Sequence, residues 1–163
     1  MSVNKYKPFV RIIPEDDANR QLANGFVLHD AVDSRAVDVM APAGGWHKVL
    51  DVFECEYLST VRSNEFAHVV LLIDFDEVED RRARVEERIP DDVKSRVFVV
   101  GSNDEPETLR SELNKVLEEI GRALANECLE DNFTLWGHPH LIHNEAELQR
   151  LVEVVKPILF PPN

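Results

Sequence analysis

Apolar residues recur in four short runs, separated by stretches in which they are spaced as on one face of a helix. The runs at residues 9–13, 36–40, 69–73 and 96–100 have the length and β-branched content of strands. The third run, VVLLI, is continuously apolar, which is typical of a strand covered on both faces. Strands that alternate with helices predict an α/β three-layer sandwich with a mainly parallel central sheet.

The longest helical pattern follows the fourth run. Apolar residues over 108–128 form a single stripe, opened by Asp104 with Glu107 three positions later as a capping box. We therefore predict one helix there, which completes a core domain at about residues 8–128.

A helical C-terminal extension is predicted over residues 129–163. It contains a loop and then a helix capped by Asn144 with Glu147. No low-complexity linker separates the extension from the core, so we expect residues 1–163 to form a single domain.

Charge limits the function classes. The 163 residues include 31 acidic and 18 basic side chains, a net charge of −13. Residues 74–92 hold nine acidic and four basic side chains, and residues 102–131 hold nine and three, net charges of −5 and −6. This balance excludes nucleic-acid binding by a broad basic surface alone. A role on DNA or RNA would require a metal or a partner protein.

Other compositional features predict a cytoplasmic protein with no membrane partner. No apolar run is long enough to span a bilayer, and the N-terminus lacks the apolar stretch of a secretory signal. Cys55 and Cys128 fit no metal-binding spacing, and we expect both to be buried thiols in helical segments.

Polar residues follow each predicted strand. Because the carboxyl ends of parallel strands meet at one edge of the sheet, these residues should lie together. The candidate residues are Glu15, Gly44, Gly45, Asp74, Asp76, Ser102, Glu105 and Glu107. Converging carboxylates repel one another unless a hard divalent cation such as Mg²⁺, Mn²⁺ or Ca²⁺ binds them. The alternative for each residue alone is a solvated loop position or a helix cap.

Three features refine this candidate metal site. In Asp74-Phe75-Asp76, both carboxylates would face one ion if the strand continues, while Phe75 packs away. Gly44-Gly45 would admit backbone N–H groups close to a phosphate, or would simply form a tight turn. Arg81, in the basic run with Arg82 and Arg84, would meet a phosphate, or would lie on a solvated helix face paired with Glu86 and Glu87.

These motifs resemble the Toprim catalytic domain of topoisomerases, primases and OLD-type nucleases. The resemblance rests on Glu15, Gly44-Gly45 and Asp74-Phe75-Asp76 and covers about two thirds of the chain. It implies phosphodiester chemistry on nucleic acid, with Glu15 as general acid or base and as a further metal ligand. It also implies Mg²⁺ or Mn²⁺ held by Asp74 and Asp76.

The resemblance extends to further positions. In OLD-type members a serine or acidic group follows the next strand, a place that Ser102, Glu105 or Glu107 would fill. Asn19 stands where such a pattern often has a second carboxylate. Domains of this kind usually receive substrate from companion parts, so a companion ATPase, a partner protein or a homo-oligomer is expected.

A second set of segments comprises residues 10–13 followed by Glu15-Asp16-Asp17, residues 71–74, residues 99–102 and Lys156-Pro157. These segments resemble the response-regulator receiver domain, in which an acidic pair holds Mg²⁺. The resemblance implies that Asp74 is phosphorylated, with Ser102 and Lys156 contacting the phosphoryl group, and it gives Asp76 no role. A third alternative is a non-catalytic interaction module that retains the fold and a cation.

The loop at residues 136–143 contains His138, His140 and His143. His-x-His would place two imidazoles on one Zn²⁺, but no cysteine or carboxylate nearby in sequence completes a tetrahedral set. We favour a structural or pH-sensitive loop that Trp136 anchors against the core.

Overall fold

The computed structural model describes residues 2–162 and contains one parallel sheet of four strands in the order β2-β1-β3-β4. Val10 of β1 pairs with Val37 of β2, and Ile13 pairs with Leu71 of β3. The central strands β1 and β3 therefore end side by side. The strands are β1 Phe9–Pro14, β2 Val37–Val39, β3 Ala67–Leu72 and β4 Val97–Val100.

Helices cover both faces of this sheet. A π-helical turn, Phe53–Tyr57, joins the second and third helices, and short 3₁₀ turns lie at Asp91–Arg96 and Ile142–Asn144. Across the described residues, no helix combines the length and the apolarity that a membrane crossing needs. The α-helices are α1 Asp17–Val27, α2 Trp46–Val52, α3 Leu58–Ser63, α4 Arg81–Glu87, α5 Pro106–Leu113, α6 Leu117–Glu130, α7 Glu145–Val154 and α8 Lys156–Leu159.

Two apolar cores lie on opposite sides of the sheet, because successive strand residues point to opposite faces. Val70 and Phe98 pack with residues of α1, α5, α6, α7 and α8. Leu71 and Val99 pack with residues of α2, α3 and α4 on the other side. This arrangement confirms the predicted α/β fold class with its helical C-terminal extension.

Helices α1 and α6 approach each other closely at two glycines. A Cβ atom on Gly121 would lie 2.0 Å from the carbonyl oxygen of Leu22, and one on Gly25 would lie 2.1 Å from that of Glu118. Any larger residue would force the helices apart. This contact holds α1, whose first turn carries site residues, against the body of the protein.

The single helix predicted over residues 108–128 is wrong. Asn114 adopts a left-handed conformation, with φ of 51°, that ends α5. The apolar pattern does not reveal this break, because Leu113 and Leu117, on either side of it, pack in the same core. The capping box is also wrong, since α5 begins at Pro106 and Asp104 accepts instead from the Thr108 hydroxyl at 2.8 Å.

The predicted cap of α7 is wrong in its partners, although Asn144 does flank the helix. Asn144 Oδ1 accepts from the backbone N–H of Gly101 at 3.3 Å, and Glu147 Oε2 accepts from that of Val99 at 2.8 Å. Both side chains therefore fasten the C-terminal extension to β4 and the loop after it. This use follows from β4 being an edge strand with free backbone groups.

The two cysteines, both free thiols, differ from expectation in one respect. Cys128 is buried in α6, as predicted, whereas Cys55 is exposed within the π-helical turn. Trp136 is buried and its indole N–H donates to the carbonyl of Leu124 at 3.2 Å, which confirms its role as an anchor.

Candidate functional site

The site is organised by a direct contact between the ends of β1 and β3. The backbone N–H of Glu15 donates to the carbonyl of Leu72 at 2.9 Å, which continues the strand ladder by one residue. The side chain of Glu15 then accepts from the backbone N–H of Asp74 at 2.5 Å. Both residues are buried, with 9% of Glu15 and 5% of Asp74 exposed. Two carboxyl groups are therefore held side by side with little access to water.

Asn19 joins this pair to the start of α1. Asp16 precedes α1 and accepts from the backbone N–H of Asn19 at 2.9 Å, as an N-cap residue does. The Asn19 amide also donates to Asp16 Oδ1 and to Asp74 Oδ1, each at 2.9 Å. Asn19 is fully buried, and its Oδ1 has no hydrogen-bond partner within residues 2–162. The NH₂ end of the Asn19 amide therefore faces the two aspartates, and its buried oxygen is directed away from them.

The electrostatics of the pair favour protonation. Burial raises the pKa of Asp74 to about 8; the hydrogen bond from Asn19 opposes this, and the charges of Glu15, Asp16 and Asp76 add to it. Burial also raises the pKa of Glu15, an effect opposed by the Asp74 N–H and reinforced by Asp16 and Asp76. Both shifts place proton transfer closer to neutral pH than for an ordinary carboxyl group.

Asp76 does not share a strand face with Asp74, contrary to the sequence-based expectation. β3 ends at Leu72, and Asp76 and Glu77 have φ values of 49° and 57°, so the chain turns sharply after Phe75. The exposed Asp76 carboxylate pairs with Arg81 at 2.9 Å. Phe75 is buried, as predicted, with 3% of its surface exposed.

Arg81 connects the loop after β3 to the start of α2. Its guanidinium donates to the carbonyl of Asp74 and to Asp76 Oδ2, both at 2.9 Å, and lies 4.7 Å from the Trp46 ring centroid. Cation–π stacking of this kind orients a guanidinium. Trp46 begins α2, and its position directly after Gly44-Gly45 is the sequence feature that indicates its place at this edge.

The basic run of α4 does not form the predicted pairs with Glu86 and Glu87. Arg84 pairs with Asp80 at 2.9 Å, one turn earlier. Arg82 is directed inward, and donates to the carbonyl of Val99 at 2.7 Å and to Asn144 Oδ1 at 2.9 Å. Of the three arginines, Arg81 alone contacts Asp74 and Asp76.

Gly44 and Gly45 connect β2 to α2 through positive φ values of 97° and 152°. The Gly44 N–H donates to the carbonyl of Glu15 at 2.8 Å, so the turn lies against the end of β1. A Cβ on Gly44 would lie 3.7 Å from Lys48 Nζ, an atom that sequence reasoning missed. The glycines therefore serve a tight turn that brings a lysine near the acidic edge.

The residues after β4 lie farther from the carboxylate pair. Ser102 is fully buried, its carbonyl accepts from Phe75 N–H at 3.0 Å, and its hydroxyl has no partner in the described chain. Glu105 is exposed before α5. Glu107 lies in the first turn of α5, with a buried Oε2 that is likewise unpaired within residues 2–162. Ser102 thus reaches the site through the backbone of Phe75.

The histidine loop is fastened by a carboxylate that the sequence did not reveal. Glu112 of α5 contacts His138 Nε2 at 3.1 Å and His140 Nε2 at 3.3 Å. His138 Nδ1 accepts from the backbone N–H of His140 at 3.1 Å, which assigns the ring proton of His138 to Nε2. A protonated Nε2 has no lone pair for Zn²⁺, so this geometry favours the structural alternative.

His143 belongs to a separate contact behind the site. Its ring lies edge-on to Phe75, with 4.7 Å between centroids, and its Nε2 is 2.9 Å from the carbonyl of Gly101. Burial, with the nearby charge of Arg82, lowers the pKa of His143 to about 4. The neutral imidazole packs the C-terminal extension against the Asp74–Asp76 loop.

The oxygen atoms at this edge are of the type that Mg²⁺ and Mn²⁺ prefer: the carboxylates of Glu15, Asp16 and Asp74, with the unpaired Oδ1 of Asn19. Within residues 2–162, however, no three His, Cys, Asp or Glu side chains are arranged around a common metal position. Instead, N–H groups of Asn19 and Asp74 donate hydrogen bonds to these carboxylates. The carboxylate of Asp76 pairs with Arg81. Ion binding therefore requires side-chain rotation, with Asp76 leaving Arg81.

Comparison with known proteins adds no closer assignment. No family model, no curated protein and no solved structure matches this chain at a significant level. The fold is that of an α/β domain with a four-stranded, all-parallel sheet and C-terminal helices.

Proposed function

We propose that this chain performs divalent-metal-dependent phosphodiester chemistry on nucleic acid, as a Toprim-like nuclease or nuclease subunit. The observation that carries the proposal is the buried pair formed by Glu15 and Asp74 at the carboxyl ends of β1 and β3. Burying two acidic groups together costs free energy, and such arrangements are concentrated at functional sites. The Toprim resemblance supports the same pair of residues.

Asp74 and Asp76 are the proposed ligands of Mg²⁺ or Mn²⁺, with Glu15 beside them. Rotation of the Asn19 amide, whose NH₂ group now donates to Asp16 and Asp74, would turn its unpaired Oδ1 toward the cation as an additional ligand. When bound, such a cation stabilises negative charge on phosphoryl oxygens and lowers the pKa of water.

Glu15 is the proposed general acid or base. Burial raises the pKa of Glu15, which makes its carboxyl group a better proton acceptor, and the N–H of Asp74 fixes the orientation of that group. Arg81 is the proposed phosphate contact, because release of Asp76 to the cation frees a guanidinium already oriented by Trp46.

The acidic surface bears on how substrate arrives. A net charge of −13 repels a polyanion at long range. We therefore propose that nucleic acid is delivered through a partner, such as a companion ATPase or a second copy of this chain, and that the cation offsets charge only locally.

Two observations weigh against the receiver-like alternative. The first is that Lys156 pairs with Asp131 at 2.7 Å. The second is that α8, which begins at Lys156, ends at Leu159, whose carbonyl accepts from the N–H of Asp33 in the loop before β2. That loop is at the amino edge of the sheet, opposite Asp74. A non-catalytic module is the stronger second candidate, because protein donors already hold the carboxylates.

The test is cleavage of single- and double-stranded DNA, RNA and a model phosphodiester with Mg²⁺ or Mn²⁺. Cleavage by the wild type that is abolished in Glu15→Gln and retained in Glu79→Gln, an exposed glutamate in the following loop, supports the proposal. Cleavage that survives Glu15→Gln contradicts it. Incubation with a small phosphodonor tests the receiver alternative, which requires one added phosphoryl group by intact mass and none in Asp74→Asn. Absence of both activities favours the non-catalytic module.

A further inference from the structure

An apolar cavity of about 110 Å³ lies between the sheet and the C-terminal helices. Ile12, Val70 and Leu72 of the central strands form its base. Residues of α1, α6 and α7, together with parts of the segments at 100–101, 136–141 and 155–160, form its walls, and it is partly open to solvent. The lining is made entirely of apolar atoms. The cavity lies in the core opposite α2, α3 and α4, and the inference drawn from it is independent of the proposed function.

The polar groups around this cavity are all engaged elsewhere. The indole N–H of Trp136 donates to Leu124, and the ammonium of Lys156 pairs with Asp131. The remaining heteroatom, the thiol of the buried Cys128, is neutral because burial raises its pKa to about 11. A buried water needs two to four polar partners, which this cavity does not offer, so water inside it is poorly bound and readily displaced.

We propose that this cavity binds an uncharged, apolar molecule or side group of about five to six heavy atoms. The size follows from the volume and the opening, since a closed apolar cavity of about 150 Å³ accommodates benzene, and this smaller cavity is partly open, so that one edge of a six-membered ring can project from it. The chemistry follows from the lining, because any polar atom of the ligand would lose its hydrogen bonds on entry. Phe26 and Phe160, which contact each other edge-on at 6.2 Å, both line the cavity and contribute aromatic surface to the ligand.

Benzene is the probe, and pyridine, its isostere with a hydrogen-bond acceptor, is the ligand control. Thermal unfolding of the wild type should shift upward with benzene concentration in a saturable manner, with a much smaller shift for pyridine. Ala23→Leu fills the cavity from α1 and should abolish the benzene shift. Ala83→Leu, the same change at an exposed position of α4, should leave the shift intact.

Methyl NMR of the wild type decides the question without depending on a variant that folds. Benzene should give nuclear Overhauser contacts to methyl groups of Ile12, Leu124 and Val152, which line the cavity, and none to Val61 in the opposite core. Equal shifts with benzene and pyridine, benzene shifts that persist in a folded Ala23→Leu protein, or contacts with both cores would each overturn the proposal. So would the absence of any contact at saturating benzene.

Discussion

The backbone N–H of Asp74 donates to the carboxyl group of Glu15 across 2.5 Å, joining the end of β3 to the end of β1. The contact arises because these two strands are neighbours in the sheet order β2-β1-β3-β4. It holds the Glu15 carboxyl group beside that of Asp74, and Asn19 bridges from α1 to the same group.

Asp74→Asn should stabilise the metal-free protein most at high pH. The ordinary pKa of this carboxyl is 3.8 and the folded value is about 8, so between these values the folded state alone holds the proton. The stability of the wild type therefore falls as pH rises through this window. Between about pH 5 and about pH 9 this pKa difference corresponds to about 4 kcal/mol, so we expect the gain in Tm of the variant to be about 8–16 °C larger at the higher pH.

The control for this pH series is Asp17→Asn. Asp17 is exposed, and its hydrogen bonds with Gln21 and Arg20 lower its pKa, so its removal should not stabilise the protein at high pH. A Tm difference between Asp74→Asn and wild type that does not change with pH would show that folding does not raise the pKa of the Asp74 carboxyl group.

Gly121→Ala should destabilise the protein by about 1–3 kcal/mol, the usual cost of overpacking. The new Cβ would meet the carbonyl oxygen of Leu22, a backbone atom that moves only with α1. Denaturant unfolding measures the effect. Arg122→Ala, at the next and exposed position of α6, gives the baseline. If Gly121→Ala were as stable as this control, the close contact of α1 with α6 would be incorrect.

Glu147→Ala should destabilise the protein by about 1–3 kcal/mol and promote self-association. The change leaves the buried N–H of Val99 without its acceptor and Arg150 without its ion-pair partner. It also frees part of the edge of β4 for pairing with another strand. Unfolding and sedimentation measure the two effects. Glu145→Ala, an exposed change in the same helix, should show neither.

Much of the fold could be predicted from the sequence because strand and helix periodicities are local. The runs at residues 9–13 and 69–73 correspond to β1 and β3, and their shared edge follows from parallel pairing. The break at Asn114 could not be predicted, because the apolar stripe continues across it. Nor could the attachment of Asn144 to Gly101, which depends on a contact between residues 43 positions apart.

At the candidate site, chain position predicted proximity but not side-chain direction. Glu15 and Asp74 lie together, as expected from adjacent strand ends. Asp76 points to Arg81 because the backbone turns into a left-handed conformation, which a sequence pattern does not encode for aspartate. The contact of Glu112 with His138 joins two separate segments, and neither segment alone indicates it.

Cation binding by Asp74 and Asp76 is tested most directly by a Mn²⁺ titration at about pH 8, in which electron paramagnetic resonance measures the free ion. We predict saturable binding by the wild type. The affinity for Mn²⁺ should increase as pH rises, because the raised pKa of Asp74 makes protons compete with the ion for this carboxyl group. Asp74→Asn and Asp76→Asn should each weaken binding by about tenfold or more, equivalent to about 1.4 kcal/mol. Asp80→Asn, in the same loop, should bind as the wild type does. Equal Mn²⁺ affinity in the wild type and Asp74→Asn, or no binding at millimolar Mn²⁺, would exclude the proposed cation site at Asp74.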